Sequence, residues 1–113
     1  MSHFGKQRLA MLAFVVLVSL AGCGGSKLWD ITQNPDKYKG KTVTVTGTVD
    51  KVMGDIYRTE PVYTINDGKG MLMILGKARE ALPAPKKKIT ITGVLETKYM
   101  VGGKEVEIIL VEK

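Results

Sequence analysis

Two stretches of this chain echo each other: Lys41-Thr-Val-Thr-Val-Thr-Gly47 and Lys87-Lys-Ile-Thr-Ile-Thr-Gly93. Both alternate threonine with an aliphatic residue, a period of two that suits a strand with one wet face and one buried face. Threonine fits the wet face because its β-branched side chain packs well on a pleated surface. Two copies do not make a solenoid, so the echo reads as convergent strand composition. The glycine closing each copy reads as a point of tight strand bending, a recurrent need in a small barrel.

The remaining elements follow from similar signals. Asn34-Pro-Asp-Lys-Tyr-Lys-Gly40 predicts a short helix, with Asn34 as cap, Pro35 in the first turn and Gly40 as a left-handed stop. Trp29, Ile31 and Tyr38 are expected to cover one end of the core, with a ligand platform as the other reading of Trp29. Strand one is expected over Thr42–Val49 and strand two over Tyr57–Ile65, interrupted at Pro61. Asn66-Asp-Gly-Lys-Gly70 signals a turn before strand three, Met71–Leu75. Gly76–Leu82 is expected as a short helix or connecting turn, followed by strand four from Lys88 to Leu95. Gly102-Gly103 signals a hairpin into strand five, Lys104–Val111.

The predicted fold class is therefore all-β: a small five-stranded Greek-key barrel, with a short N-terminal helix and another short helix between strands three and four. Strands three and five could leave an exposed edge open to pairing between copies. Asn34–Val49, Tyr63-Thr-Ile-Asn-Asp-Gly68 and Ile89-Thr-Ile-Thr-Gly-Val94 resemble OB-fold families of bacterial envelope proteins described as nucleic-acid-binding-like or tRNA anticodon-binding-like. The resemblance covers roughly residues 34 to 111 and rests on turn glycines and strand valines, so it speaks to fold more than to function. SH3-like and other small barrels stay open as alternatives.

The N-terminus has a different character. Lys6 and Arg8 precede an apolar run from Leu9 to Ala21, too short to span hydrocarbon, which takes roughly 20 residues. Leu20-Ala21-Gly22-Cys23 resembles the lipobox of bacterial lipoproteins. That resemblance implies cleavage before Cys23, a diacylglycerol on its sulfur and a further acyl chain on its amine, which together give stable anchoring. The expected organisation is a signal peptide over 1–22, a lipidated cysteine and short tether over 23–30, and the barrel domain over 31–113. Gly24 is not the aspartate that resembles an inner-membrane retention signal. In a host with two membranes the expected address is thus the periplasmic leaflet of the outer membrane.

Cleavage would remove His3, the chain's single histidine, and lipid would consume Cys23, its single cysteine. No zinc set, disulfide or nucleophilic triad can then form within the chain, so no metal and no cofactor are expected. Asp50 with Asp55, and Glu105 with Glu107, read as solvated surface rather than paired catalytic carboxylates. The expectation is a noncatalytic module. Seventeen Lys and Arg, less Lys6 and Arg8, leave 15 against 11 Asp and Glu, a mild net charge of +4.

The OB resemblance implies a binding face on strands two and three, flanked by the β1–β2 and β4–β5 loops. Its candidate residues are Tyr57, Arg58, Tyr63, Tyr99, Met100 and Val101, with Met53-Gly54-Asp55 alongside. Tyrosine and methionine suit protein interfaces, although the Tyr99-Met100-Val101 loop could instead fold back over the barrel end. Strand three offers neither aromatic nor charge, and the envelope address disfavours nucleic acid as partner. Lys86, Lys87 and Lys88 are the candidate contact for anionic surfaces, against a plain solvated reading. The expected function is an envelope-anchored binding or adaptor module for a protein, glycan or small ligand, with a structural or envelope-stress role as the alternative.

Overall fold

The computed structural model describes residues 26–53 and 56–113. The expected signal peptide, lipobox and Cys23 lie outside the described residues, as do Gly54 and Asp55.

Folding begins earlier than the helix expected over 34–40. Helix α1, Lys27–Gln33, is capped by Ser26, whose hydroxyl accepts from the Trp29 N–H at 2.9 Å. Leu28 and Ile31, three residues apart on one face, are fully buried. Residues 27–30, assigned above to the tether, are thus part of this helix. Trp29 points elsewhere and is 51% exposed, which corrects its expected place over the core. A second helical turn, α2, spans Pro35–Tyr38 with Pro35 in its first turn, and Gly40 takes the left-handed conformation at φ 77°. Asn34 makes no side-chain cap there; its amide donates to the Asp30 carboxylate at 2.9 Å.

Five strands follow: β1 (Thr42–Val52), β2 (Val62–Asn66), β3 (Met71–Leu75), β4 (Lys88–Val101) and β5 (Lys104–Glu112). They lie in the order β1-β2-β3-β5-β4, and β4 returns to pair with β1. The echoing stretches are direct neighbours in that pairing. Antiparallel register sets Thr44 opposite Thr92 and Thr46 opposite Thr90, and both hydroxyl pairs are hydrogen-bonded, at 2.8 and 2.9 Å. The aliphatic residues alternating with them turn inward, and Val43 and Val45 are buried.

The expected antiparallel OB-like barrel is corrected to a mixed five-stranded sheet with two short helices. β3 and β5 meet in parallel through only Ile74↔Leu110 and Leu75↔Val111, where an antiparallel barrel would need a ladder. The β1–β2 ladder is also broken by a register shift between Val49 and Val52. The helix expected between strands three and four is a single 3-10 turn, Arg79–Ala81, with no buried residue. It cannot plug the sheet, and α1 supplies the apolar cover instead. Strands three and five pair with each other at Ile74–Leu75 and Leu110–Val111, so the edge expected there for pairing between copies is occupied at those positions.

Two apolar clusters result. The larger joins Leu28 and Ile31 of α1 to Val45, Val49, Tyr63, Ile65, Leu72, Ile74, Leu95 and Leu110 on the inner side of the sheet. The smaller contains Val62, Val101, Val106 and Ile109, with Met53, Tyr57, Met73, Leu75 and Tyr99 packed against it. It is where the β1–β2 connection and the β4–β5 hairpin fold over the sheet.

Candidate functional site

Tyr57 and Arg58 belong to a turn, because strand β2 starts at Val62 rather than at Tyr57. Arg58 takes a positive φ of 59°, a conformation sparsely used by non-glycine residues. The turn lies against the β4–β5 hairpin. Gly102, at φ 56°, approaches it so closely that a Cβ would sit 2.7 Å from the Tyr57 carbonyl carbon. A Cβ on neighbouring Gly103 would lie 3.3 Å from the Arg58 guanidinium. Only glycine permits such an approach at left-handed φ.

Strand β4 runs on to Val101, so Tyr99-Met100-Val101 is strand and not loop. Alternation then separates the three side chains. Val101 is buried and Tyr99 partly so, both in the smaller apolar cluster, while Met100 faces outward and is 61% exposed. Ile56, next to Tyr57, is 52% exposed. The structure thus gathers Tyr57, Arg58, Tyr99, Met100 and Val101 at one end of the sheet, though Tyr57, Tyr99 and Val101 are engaged in packing there. They cover Val62, Met73 and Leu75 on the outer side of β2 and β3, where the OB resemblance implied an open binding face.

Tyr63 is placed elsewhere. It is 1% exposed in the larger cluster, and burial, with the Glu112 carboxylate adding to it, pushes its hydroxyl up to about 12. The signal was available in the sequence: Tyr63 shares strand parity with Ile65, a core position.

The lysines stand at the other end of β4. Lys86 and Lys88 line a cleft of about 670 Å³, together with Thr46–Asp50 of β1 and Asn66–Gly68 of the β2–β3 turn. Lys87 is exposed, and its backbone carbonyl accepts from the Val49 N–H at 2.8 Å. Asp67 organises the neighbouring turn. It accepts from the Ser26 hydroxyl, and from the Lys69 and Gly70 N–H groups at 3.0 and 2.9 Å. Burial pushes its carboxyl up, but these hydrogen bonds outweigh that and leave it below the usual carboxylate range. Gly70 lies flat on α1: a Cβ there would sit 2.7 Å from the Trp29 Cα. Met71, the next residue, is 48% exposed. Met71 and Ile56 carry no signal in the sequence, because exposure of single apolar residues leaves no periodic trace.

Among the described residues no group of three or more His, Cys, Asp or Glu could hold a metal ion. No helix among them is long and apolar enough to cross a membrane. No family model matches the chain, and no curated protein matches it in sequence. The resemblance to nucleic-acid-binding-like and tRNA anticodon-binding-like OB families is corrected accordingly, since neither a family match nor a uniformly laddered barrel supports it.

Proposed function

We propose that this protein is a noncatalytic adaptor of the bacterial envelope, tethered through lipid on Cys23 and engaging a protein partner with the end of the sheet that carries Met100. The observation that carries the partner-binding reading is the junction of the Tyr57–Arg58 turn with the Gly102–Gly103 hairpin. It fixes two connections against each other while Met100 and Ile56 remain 61% and 52% exposed beside it. A flexible exposed methionine, and a guanidinium held against Gly103 in the same hairpin, suit protein recognition, where Met and Arg are enriched. The anchor reading is supported by the lipobox-like Leu20-Ala21-Gly22-Cys23. Glycan and small-ligand partners are less well supported at this end, because Tyr57 and Tyr99 are packed down instead of presenting ring faces.

The test is retention of envelope proteins by the full chain purified from native membranes. Met100→Glu together with Ile56→Glu should abolish recovery of a stoichiometric partner while the melting temperature stays unchanged. Undiminished recovery would sink the proposed face.

A further inference from the structure

The end of the domain opposite Met100 carries its own pattern. The Ser26–Asp67 hydrogen bond and the Gly70–Trp29 contact fasten the β2–β3 turn to the start of α1. Two exposed apolar side chains, Trp29 and Met71, therefore come from adjoining backbone segments. Lys69 is exposed in the same turn, and the cleft beside it is lined by Lys86 and Lys88. Among the described residues, Asp67, Asp30 and Asp50 lie in this region, with Asp36 further along in α2. Asp67 is occupied by Ser26 and the turn amides, and Asp30 by the Tyr38 hydroxyl, the Asn34 amide and Lys37. Asp50, at the cleft wall, is the third. Lys69 thus shares the turn that lies against Trp29, and Lys86 and Lys88 line the cleft on the other side of that turn.

Chain length says what lies opposite. Ser26 follows Cys23 by three residues, and covalent geometry limits three residues to about 11 Å. Acyl chains on Cys23 would hold this end of the domain, and no other, at a bilayer surface. Tryptophan is the side chain that settles at the headgroup level, and lysines beside it meet lipid phosphate.

We infer that the end formed by α1 and the Asn66–Gly70 turn docks onto a bilayer of anionic phospholipid, with Trp29 and Met71 entering the interface and Lys69, Lys86 and Lys88 meeting headgroup phosphates. The inference rests on the anchoring through Cys23 proposed above. It goes beyond that reading by fixing the orientation: the Met100 end faces away from the membrane, free for a partner.

Trp29 is the chain's single tryptophan, so its fluorescence reports this contact alone. The full lipidated protein is reconstituted into vesicles of phosphatidylcholine and phosphatidylglycerol in equal parts, with and without brominated acyl chains. Docking predicts a blue-shifted emission, a severalfold loss of intensity in brominated vesicles and protection from iodide. Lys69→Gln, Lys86→Gln and Lys88→Gln combined should reverse much of the quenching in these vesicles and change little in pure phosphatidylcholine. Protein that floats with the vesicles but shows unquenched, iodide-accessible emission would overturn the docking and leave the anchor standing. An intact mass without acyl chains, from protein recovered out of native membranes, would instead remove the anchor and the inference built on it.

Discussion

Tyr57 and Gly102 meet backbone to backbone, and through them the β1–β2 connection and the β4–β5 hairpin become one surface. A side chain on Gly102 would both oppose its φ of 56° and strike the Tyr57 carbonyl. Gly102→Ala should therefore destabilise the domain by about 2–4 kcal/mol in urea unfolding. Gly68, at φ 91° with open space around it, isolates the conformational part, and Gly68→Ala should cost only about 1 kcal/mol. Equal losses at both positions would show that the two connections are not in contact.

Packing and recognition should separate at the same end. Tyr57→Ala and Tyr99→Ala remove side chains from the smaller apolar cluster and should each cost about 1–3 kcal/mol. Met100→Ala removes an exposed side chain and should stay within about 0.5 kcal/mol. A change of Tm at Met100 as large as at the tyrosines would place it in the core.

Helix α1 is part of the core rather than of a tether. Leu28→Ala or Ile31→Ala should cost about 2–5 kcal/mol, as large-to-small changes at fully buried sites do. Gln33→Ala, on the exposed side of the same helix, provides the comparison. If the buried pair proved as tolerant as Gln33, α1 would not be docked.

Two titrations should limit stability from opposite sides. The Tyr63 hydroxyl is raised from 10 to about 12 by burial and by Glu112, so folding favours its protonated form. The associated stability is intact below pH 10 and is lost as pH rises toward 12. Tyr63→Phe should flatten the fall in Tm across that window; an unchanged fall would assign it to other groups.

At the acid side Asp67 is lowered, so its contribution is present above the ordinary carboxylate value of 3.8 and disappears as pH falls through its depressed folded value. Asp67→Asn should remove that part of the acid transition and loosen the Ser26 cap. Persistence of the full acid transition in Asp67→Asn would contradict the role given to the carboxylate.

Much of the sheet was legible because threonine and valine alternate, and alternation has one structural meaning. Strand β3 and the glycine turns at 68 and 102–103 stand where the residues indicate. The misjudged parts are those where tertiary contact decides. Trp29 was expected over the core with Ile31 and Tyr38; Ile31 is buried as expected, but its partner at helical spacing is Leu28 and not Trp29. Ser26, a capping residue just before that pair, is the sequence signal for α1. Tyr99-Met100-Val101 read as loop because hairpin glycines follow, but the turn needs only Gly102 and Gly103, and pairing with Lys104–Val106 keeps the three residues in the strand. The parallel meeting of β3 and β5 has no local signature at all. At the candidate site the sequence supplied the residue types, whereas the division between packed Tyr57 and exposed Met100 depends on which face of β4 each neighbour finds.

If the Met100 end of an anchored domain meets a protein partner, a crosslinker at that end will capture it. A photoreactive benzoyl-phenylalanine placed at Met100 of the full chain, irradiated in native cells, tests this most directly, with Thr44 on the exposed threonine face as reference. One discrete, reproducible protein adduct is expected from position 100 and none from position 44. No adduct from position 100, or the same scattered adducts from both, would contradict a partner at that end.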